Sequence, residues 1–475
     1  MPAAISHVSP YAGSWYPDDP SELRELLDRL FRDSQQRTGA YLLPRGAAFI
    51  VPHAGLIYSG TVAAAVYRHL AQQAPERIVL LGFCHRGAPP GLWIPRIDAF
   101  KTPLGEIALD RELVDELVER PEFAFLPEAS LCDHSVEIQL PLLNWAAPAC
   151  RVLPIYVSRV DPAVRNQAAL ALAEAARSGA TLLASSDFTH YGRSFQYEPF
   201  PPDAWVADRL RDLDESLIEA AGSLRPELFL ETLRSTQATL CGYEPISLLL
   251  ATLGLLDGGD EIFQETLDYQ TSGEITGDFR HSVSYTAIGY FPYSAFWLSA
   301  EDQAALLDSA RRTLAHYQQT GERRPLPAEG GSRALDRRAA AFVTLHKNGS
   351  LRGCVGRRAA VEPLRQTVAE MTLAAALDDS RFEPVGRNEG GIQVEISVLS
   401  PLKRIADRSA FRVNEHGAVL HSGIHHGLLL PQVATERNWT AEQFFEALAR
   451  KAGAGPHIYR DPATRLYVFR AQIIN

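Results

Sequence analysis

No feature constrains this chain more than a buried strand that runs into a polar loop, repeated at three places far apart in sequence. The apolar run Ala47 to Val51 ends at Pro52-His53-Ala54-Gly55, and Ser59-Gly60 then open the helical pattern T-V-A-A-A-V-Y-R-H-L. Arg77 to Gly82 runs likewise into Phe83-Cys84-His85-Arg86-Gly87, and Thr181 to Ala184 into Ser185-Ser186-Asp187-Phe188-Thr189-His190-Tyr191-Gly192. Open α/β sheets build their sites just beyond the carboxyl ends of parallel strands. If these three strands are parallel neighbours, His53, His85, Asp187 and His190 meet on one rim.

At 475 residues the chain exceeds one ordinary domain, so a division is expected. Up to Pro292, strands and helices alternate at the spacing of an α/β fold with a mostly parallel sheet flanked by helices. Residues 17 to 31 read as an amphipathic helix capped by Asp19, with Leu23, Leu26, Leu27, Leu30 and Phe31 as its buried stripe. Trp93 to Leu109 reads as an irregular, Pro-containing segment, and Cys132 to Pro141 as a loop entering a helix capped by Asp133 or Ser135. Arg151 to Val157 and Ser282 to Phe291 complete the strands of this half.

The character changes after Pro292. A helix over 301 to 318 leads into a Pro-, Gly- and charge-rich stretch over 320 to 336, followed by a strand at Ala341 to Lys347 and a turn at Asn348-Gly349. Gly391 to Leu399 alternates apolar with polar at period two, as a half-exposed antiparallel strand does. A helix at 440 to 451 and one strand from Leu466 to Ile474 close the chain. The expected division is an α/β domain over residues 1–295 and a smaller α+β domain over 296–475.

Charge and composition exclude several classes. The formal net charge is −11 and the basic residues are dispersed, whereas a nucleic-acid protein needs a clustered basic face. No apolar run reaches the ~20 residues of a membrane span, and the N-terminus lacks the pattern of a signal peptide. Five widely spaced cysteines without C-x-x-C predict free thiols and a cytoplasmic, reducing location. No H-E-x-x-H, G-x-S-x-G, Walker or G-x-G-x-x-G motif occurs.

Imidazole and thiolate are good ligands for first-row transition metals. His53, His85 and Cys241 each sit at a turn beside a strand or helix end, and a three-ligand site leaves positions open for small molecules. His190 and His134 could then move protons, with Asp187 or Glu137 orienting an imidazole or ligating weakly. A lone His at a strand end is also an ordinary hydrogen-bonded residue, and Cys241 alone could be a small buried apolar group. His7, His69, His281 and His316 lack a partner pattern and read as surface or core residues. In the second half, Arg352-Gly353-Cys354 is the sharpest feature: a thiol beside an arginine could serve as nucleophile or redox group, with the glycines admitting a close approach. The alternative is a packed Cys in a Gly-rich turn. His421, His425 and His426 read as a solvated loop.

Six motifs in order, Y-A-G-S-W-Y-P (Tyr11 to Pro17), P-H-A-G-L-I-Y-S-G (Pro52 to Gly60), L-G-F-C-H (Leu81 to His85), D-H-S-V-E (Asp133 to Glu137) with Gln139-Leu-Pro141, S-S-D-F-T-H-Y (Ser185 to Tyr191) and L-C-G-Y-E-P (Leu240 to Pro245), make residues 5 to 293 similar to the Memo family. That resemblance implies a fold like class III extradiol dioxygenases, with the mononuclear metal on His53, His85 and Cys241. Iron is the foremost metal, with copper or zinc as alternatives. His190, His134 and Asp187 fall on catalytic positions, and Tyr58 and Glu137 on the pocket. Leu56, Phe83-Cys84 and Glu244 depart from the usual pattern; Cys84 raises a second thiol near the metal. Residues 298 to 475 resemble the AMMECR domain through Phe342 to Leu345 with L-R-G-C-V-G (Leu351 to Gly356), S-R-F-E-P (Ser380 to Pro384) and V-E-I-S-V-L-S-P-L (Val394 to Leu402).

The two families, with a radical S-adenosylmethionine protein, form the AmmeMemoRadiSam system, which implies that protein as a partner and a small molecule or peptide as substrate. The expected function is a metal-dependent, dioxygenase-like oxidoreductase. The alternatives are a non-catalytic copper, redox or peptide-binding adaptor, and hydrolytic zinc chemistry.

Overall fold

The computed structural model describes residues 5–127 and 131–475. The chain forms two compact units, Met1–Ala295 and Phe296–Asn475.

The first unit is built on a nine-stranded sheet with helices packed against it. Its centre is the parallel set Ala48–Val51, Thr181–Ser185, Arg77–Gly82 and Arg151–Val157, in that spatial order. The three strands that carry the site are therefore parallel neighbours, and their near-complete burial matches their continuous apolar sequence. Strand direction is mixed toward both edges. His281–Pro292 lies antiparallel to Ala48–Val51 and pairs with both His190–Gly192 and Ile262–Thr271, while Leu92–Ile94 lies antiparallel to Arg151–Val157. The sheet is thus a parallel core with antiparallel flanks. Ile262–Thr271 has no counterpart in the sequence reading because its alternation is broken by a register shift between Thr266 and Asp268.

Two other expectations for this unit are corrected. The segment read as irregular contains Leu92–Ile94 and the hairpin Ala99–Thr102 with Gly105–Ala108, which joins Ser6–Val8 in a separate small sheet. Strands this short give almost no periodic signal. The helix after His53 begins at Leu56, three residues before the expected start, because Ile57 and Tyr58 are apolar yet face outward there. The helix Pro20–Thr38 follows its pattern: Asp19 accepts from the Ser21 and Glu22 amides, and the leucine stripe with Phe31 is buried.

The second unit holds two four-stranded antiparallel sheets. Asn348 and Gly349, both at positive φ, turn Ala341–Lys347 back into Ser350–Arg357. The L-R-G-C-V-G run is consequently a strand rather than a turn. Its glycines answer to packing: a Cβ on Gly353 would lie 2.1 Å from the Ala375 carbonyl oxygen, and one on Gly356 2.2 Å from the Phe342 ring. The closing segment is two strands, Arg465–Phe469 and Ala471–Ile474, which split at Arg470 to serve different sheets. His421, His425 and His426 lie on the hairpin Gly417–Ser422/His425–Leu429 and not on a loop.

Candidate metal centre

Each strand end delivers one piece of the site. Beyond Ala48–Val51, His53 is 1% exposed. Its main-chain amide donates to Asp187 Oδ1 at 2.7 Å, and its Nδ1 lies 3.0 Å from Ser185 Oγ, at the end of the neighbouring strand. Gln139 Nε2 donates to the same Ser185 oxygen and to the Pro52 carbonyl, fixing the peptide before the imidazole. Beyond Arg77–Gly82, His85 is more open to solvent. Its amide donates to Asp133 Oδ2 at 3.0 Å and its Nδ1 meets Asp133 Oδ1 at 2.8 Å. A carboxylate can only accept from that ring, so Nδ1 carries the proton and Nε2 keeps its lone pair. Asp133 also caps the short helix His134–Glu137. Burial alone would raise its pKa, but the His85 hydrogen bond and the neighbouring imidazoles outweigh this and hold it below the ordinary value.

Cys241 arrives from the turn before Tyr243–Leu256. Its Sγ lies 3.0 Å from His53 Nε2 and 3.7 Å from the Asp187 carbonyl oxygen. Gly242 permits this approach, since a Cβ there would fall 2.6 Å from the Ser185 carbonyl oxygen. His53, His85 and Cys241 each bring one donor atom to within 4.8 Å of the others. A second grouping, His85 with Asp133 and His134, meets the same distance, but Asp133 is already spent on the His85 ring and the helix cap.

The donor set suits a first-row transition metal, and His53 and His85 each have one ring nitrogen held by a hydrogen-bonding partner, the arrangement that would orient a metal-bound imidazole. Burial, then the neighbouring imidazoles, push the His53 pKa well below its ordinary value, while burial raises that of Cys241. Without a cation beside them, the pair therefore favours neutral imidazole and neutral thiol.

Of the remaining expected site residues, His190 lines the cavity beside His53 and His85. Its Nδ1 lies 3.0 Å from the Phe188 carbonyl and 2.9 Å from the Thr239 carbonyl. Two acceptors at Nδ1 leave Nε2 as the unprotonated nitrogen of the neutral ring. His134 stacks on His85 with centroids 4.0 Å apart. Burial brings its pKa down to about 4 despite Asp133, so near neutral pH it is an uncharged wall. Asp187 is buried and serves the His53 main chain rather than any imidazole ring. Tyr58 lines the cavity mouth.

Glu137, expected in the pocket, is corrected. It is fully buried away from the cavity wall, with Oε1 3.1 Å from His7 Nε2. His7 accordingly has a partner that its sequence neighbourhood gave no hint of. Cys84 does not join the cluster: its thiol donates to the Leu131 carbonyl at 3.2 Å. The largest omission of the residue-level reading is Tyr11 to Pro17. This loop forms a wall of the cavity, with the Trp15 ring 4.4 Å from His134 and the Trp15 carbonyl accepting from Leu56 N. Its dense aromatics were the available signal.

In the second unit, Arg352 spends its guanidinium on Glu389, with Nε to Oε1 at 2.8 Å and a second nitrogen to Oε2 at 3.0 Å. Cys354 donates its amide to Asp379 Oδ2 at 2.8 Å, and its Sγ accepts from Thr344 Oγ1 at 3.4 Å. Adjacent in sequence motif, the two residues have separate partners.

A model of Memo-like proteins matches residues 8–289, and an AMMECR1 model matches residues 307–474. A MEMO1 family protein of Aquifex aeolicus is 33% identical over 278 residues, covering 58% of this chain and 95% of that protein. A Methanothermobacter thermautotrophicus protein is 40% identical over 185 residues, covering 38% of this chain and 96% of its own length. An uncharacterized Pyrococcus horikoshii protein of known crystal structure is 32% identical, with 36% of this chain and 91% of that one covered at a TM-score of 0.35. The chain belongs to the Memo family of proteins, with an AMMECR1 domain following in the same polypeptide.

Proposed function

We propose that the first unit is a metal-dependent oxidoreductase centre. A single transition metal, iron foremost with copper or zinc as alternatives, would be held by His53 Nε2, His85 Nε2 and Cys241 Sγ. The observation that carries this reading is the meeting of one donor atom from each of these three residues within 4.8 Å, from three distant points of the chain. When bound, such a metal supplies a Lewis-acidic, redox-capable centre with positions left for substrate or dioxygen.

The protein groups have separable tasks. Asp133 and Ser185 orient the two imidazoles, and Asp187 fixes the peptide that carries His53. His190 Nε2 faces a cavity of about 690 Å³ as the base able to accept a substrate proton, its other nitrogen locked by carbonyls. His134, stacked on His85 and neutral, limits water on that side of the site. A cavity of this size suits a small organic molecule. The radical S-adenosylmethionine partner implied by the AMMECR and Memo resemblance belongs to the same proposal, and co-purification from the source cell checks it.

The test is metal retention and turnover. The full chain, loaded anaerobically with iron, should hold one ion and consume oxygen with a catechol; His53→Ala with His85→Ala should lose both. Unchanged metal content in that double variant overturns the ligand assignment. The thiolate donor favours a second reading, a copper-binding or redox adaptor, because sulfur softens the site relative to a carboxylate. Tight copper binding with no oxygen uptake selects it, and ester or amide hydrolysis on added zinc selects hydrolytic chemistry.

A further inference from the structure

The walls of the cavity are unevenly charged. Among the described residues no Lys or Arg lines it, whereas Asp18 and Glu22 do, together with Asp187 at its base. Asp187 is committed to the main chain of His53. Asp18 and Glu22 have no ion-pair partner among the described residues. Glu22 also suits the first turn of its helix, but Asp18 does not serve the cap, which Asp19 supplies. The Asp18 carboxyl group instead lies against Gly13, 3.5 Å from where a Cβ would stand on that glycine, itself part of the cavity wall.

The same cavity is lined by apolar and aromatic groups that the fold leaves uncovered. Ile57 is 67% and Tyr58 40% exposed at the mouth, and Trp15 lies along the wall. Aromatic faces beside carboxylates receive an organic cation by ion pairing and cation–π attraction together. Arg86, which follows His85, is exposed and does not line the cavity. The overall charge of −11 adds a field that draws cations and repels anions.

We infer that the ligand of this cavity is a small amine, protonated at neutral pH and carried on an aromatic or apolar body. The ammonium sits between Asp18 and Glu22, and the body lies along Trp15 and Tyr58 toward the imidazoles. This deepens the proposed function by naming its substrate class, but it concerns recognition and does not need the metal.

The experiment is calorimetric titration of the full chain, metal-free and metal-loaded, with tyramine and with 4-hydroxyphenylacetate. The two probes share a ring and differ in the sign of their charge. Tyramine should bind at least about tenfold more tightly, ~1.4 kcal/mol, in both forms, and the preference should shrink as salt is raised. Asp18→Asn with Glu22→Gln should abolish the preference while circular dichroism and metal content stay unchanged. Equal or tighter binding of the acid, no tyramine binding at millimolar concentration, or a preference that survives in the double variant overturns the inference. A chain that prefers tyramine but retains no metal would instead refute the metal centre and leave this inference standing.

Discussion

The two units carry comparably sharp motifs, yet their chemistry-bearing side chains fare differently. In the first, His53, His85 and Cys241 meet around one point, and each imidazole has a partner that aims it. In the second, Arg352 and Cys354 are absorbed by neighbours, while Gly353 and Gly356 answer to a helix and a ring. The cause is strand direction. Parallel strands present all their carboxyl ends on one rim, so loops distant in sequence are gathered together. An antiparallel hairpin such as Ala341–Lys347 with Ser350–Arg357 sends successive ends to opposite edges, and its motif stays local.

Glycine substitutions probe this contrast with the largest effect. Gly353→Ala places a methyl against the Ala375 carbonyl and should cost about 3 kcal/mol, unfolding the second unit earlier while leaving metal content intact. Gly242→Ala meets the Ser185 carbonyl and should cost about 2 kcal/mol, but here metal retention falls as well, because the turn carrying Cys241 is displaced. Calorimetry with elemental analysis reads both; equal metal loss in the two variants would erase the distinction.

Acid should separate the units next. His69 is buried beneath the sheet and its pKa is lowered to about 4 by burial. A depressed histidine takes up its proton more readily when unfolded, so stability is lost as pH falls from 6.5 to 4, by roughly 3 kcal/mol for this residue. In the second unit, Asp379 beside Arg381 and Glu389 beside Arg352 are each held at about 2. Their stabilisation is intact above about 4.5 and disappears only as pH drops toward 2. Melting followed across pH should show the first unit weakening first, and His69→Gln should delay it.

A smaller effect tests the outer support of the ligands. Asp133→Asn removes the carboxylate from His85 Nδ1 and should weaken metal binding about 10- to 100-fold. Glu389→Gln, which weakens the Arg352 pair, should leave metal affinity unchanged. Smallest is Glu244→Gln. Burial raises this carboxyl to about 7, so its ionised form is destabilising above that pH and harmless below about 4.5. Because the residue is partly exposed, solvent screening holds the gain in the variant to under about 1 kcal/mol at pH 8. Melting at pH 8 and pH 5 checks that the gain is larger at the higher value.

How much of this was legible in the sequence follows from where each signal resides. The strands before His53, His85 and Asp187 are continuous apolar runs bounded by Pro, Gly and Ser, so their existence could be read, whereas their adjacency entered only as a condition, which the parallel pairing meets. Cys241 at its turn read equally as a ligand or a packed thiol, and only the motif resemblance favoured the ligand, because nothing local in a turn tells the two apart. The Glu137–His7 pair spans 130 positions and has no local signature at all. The wall formed by Tyr11 to Pro17 was apparent as a run of aromatics, but the side of the site it covers is decided by the Leu56–Trp15 hydrogen bond, a tertiary contact.

X-ray absorption at the metal edge of the loaded full chain tests the central claim most directly. With zinc as the loaded ion, the account predicts one sulfur neighbour at about 2.3 Å with imidazole nitrogens at about 2.0–2.1 Å, and loss of the sulfur shell in Cys241→Ser. A spectrum without sulfur, or one in which the sulfur shell persists after that substitution, would contradict it.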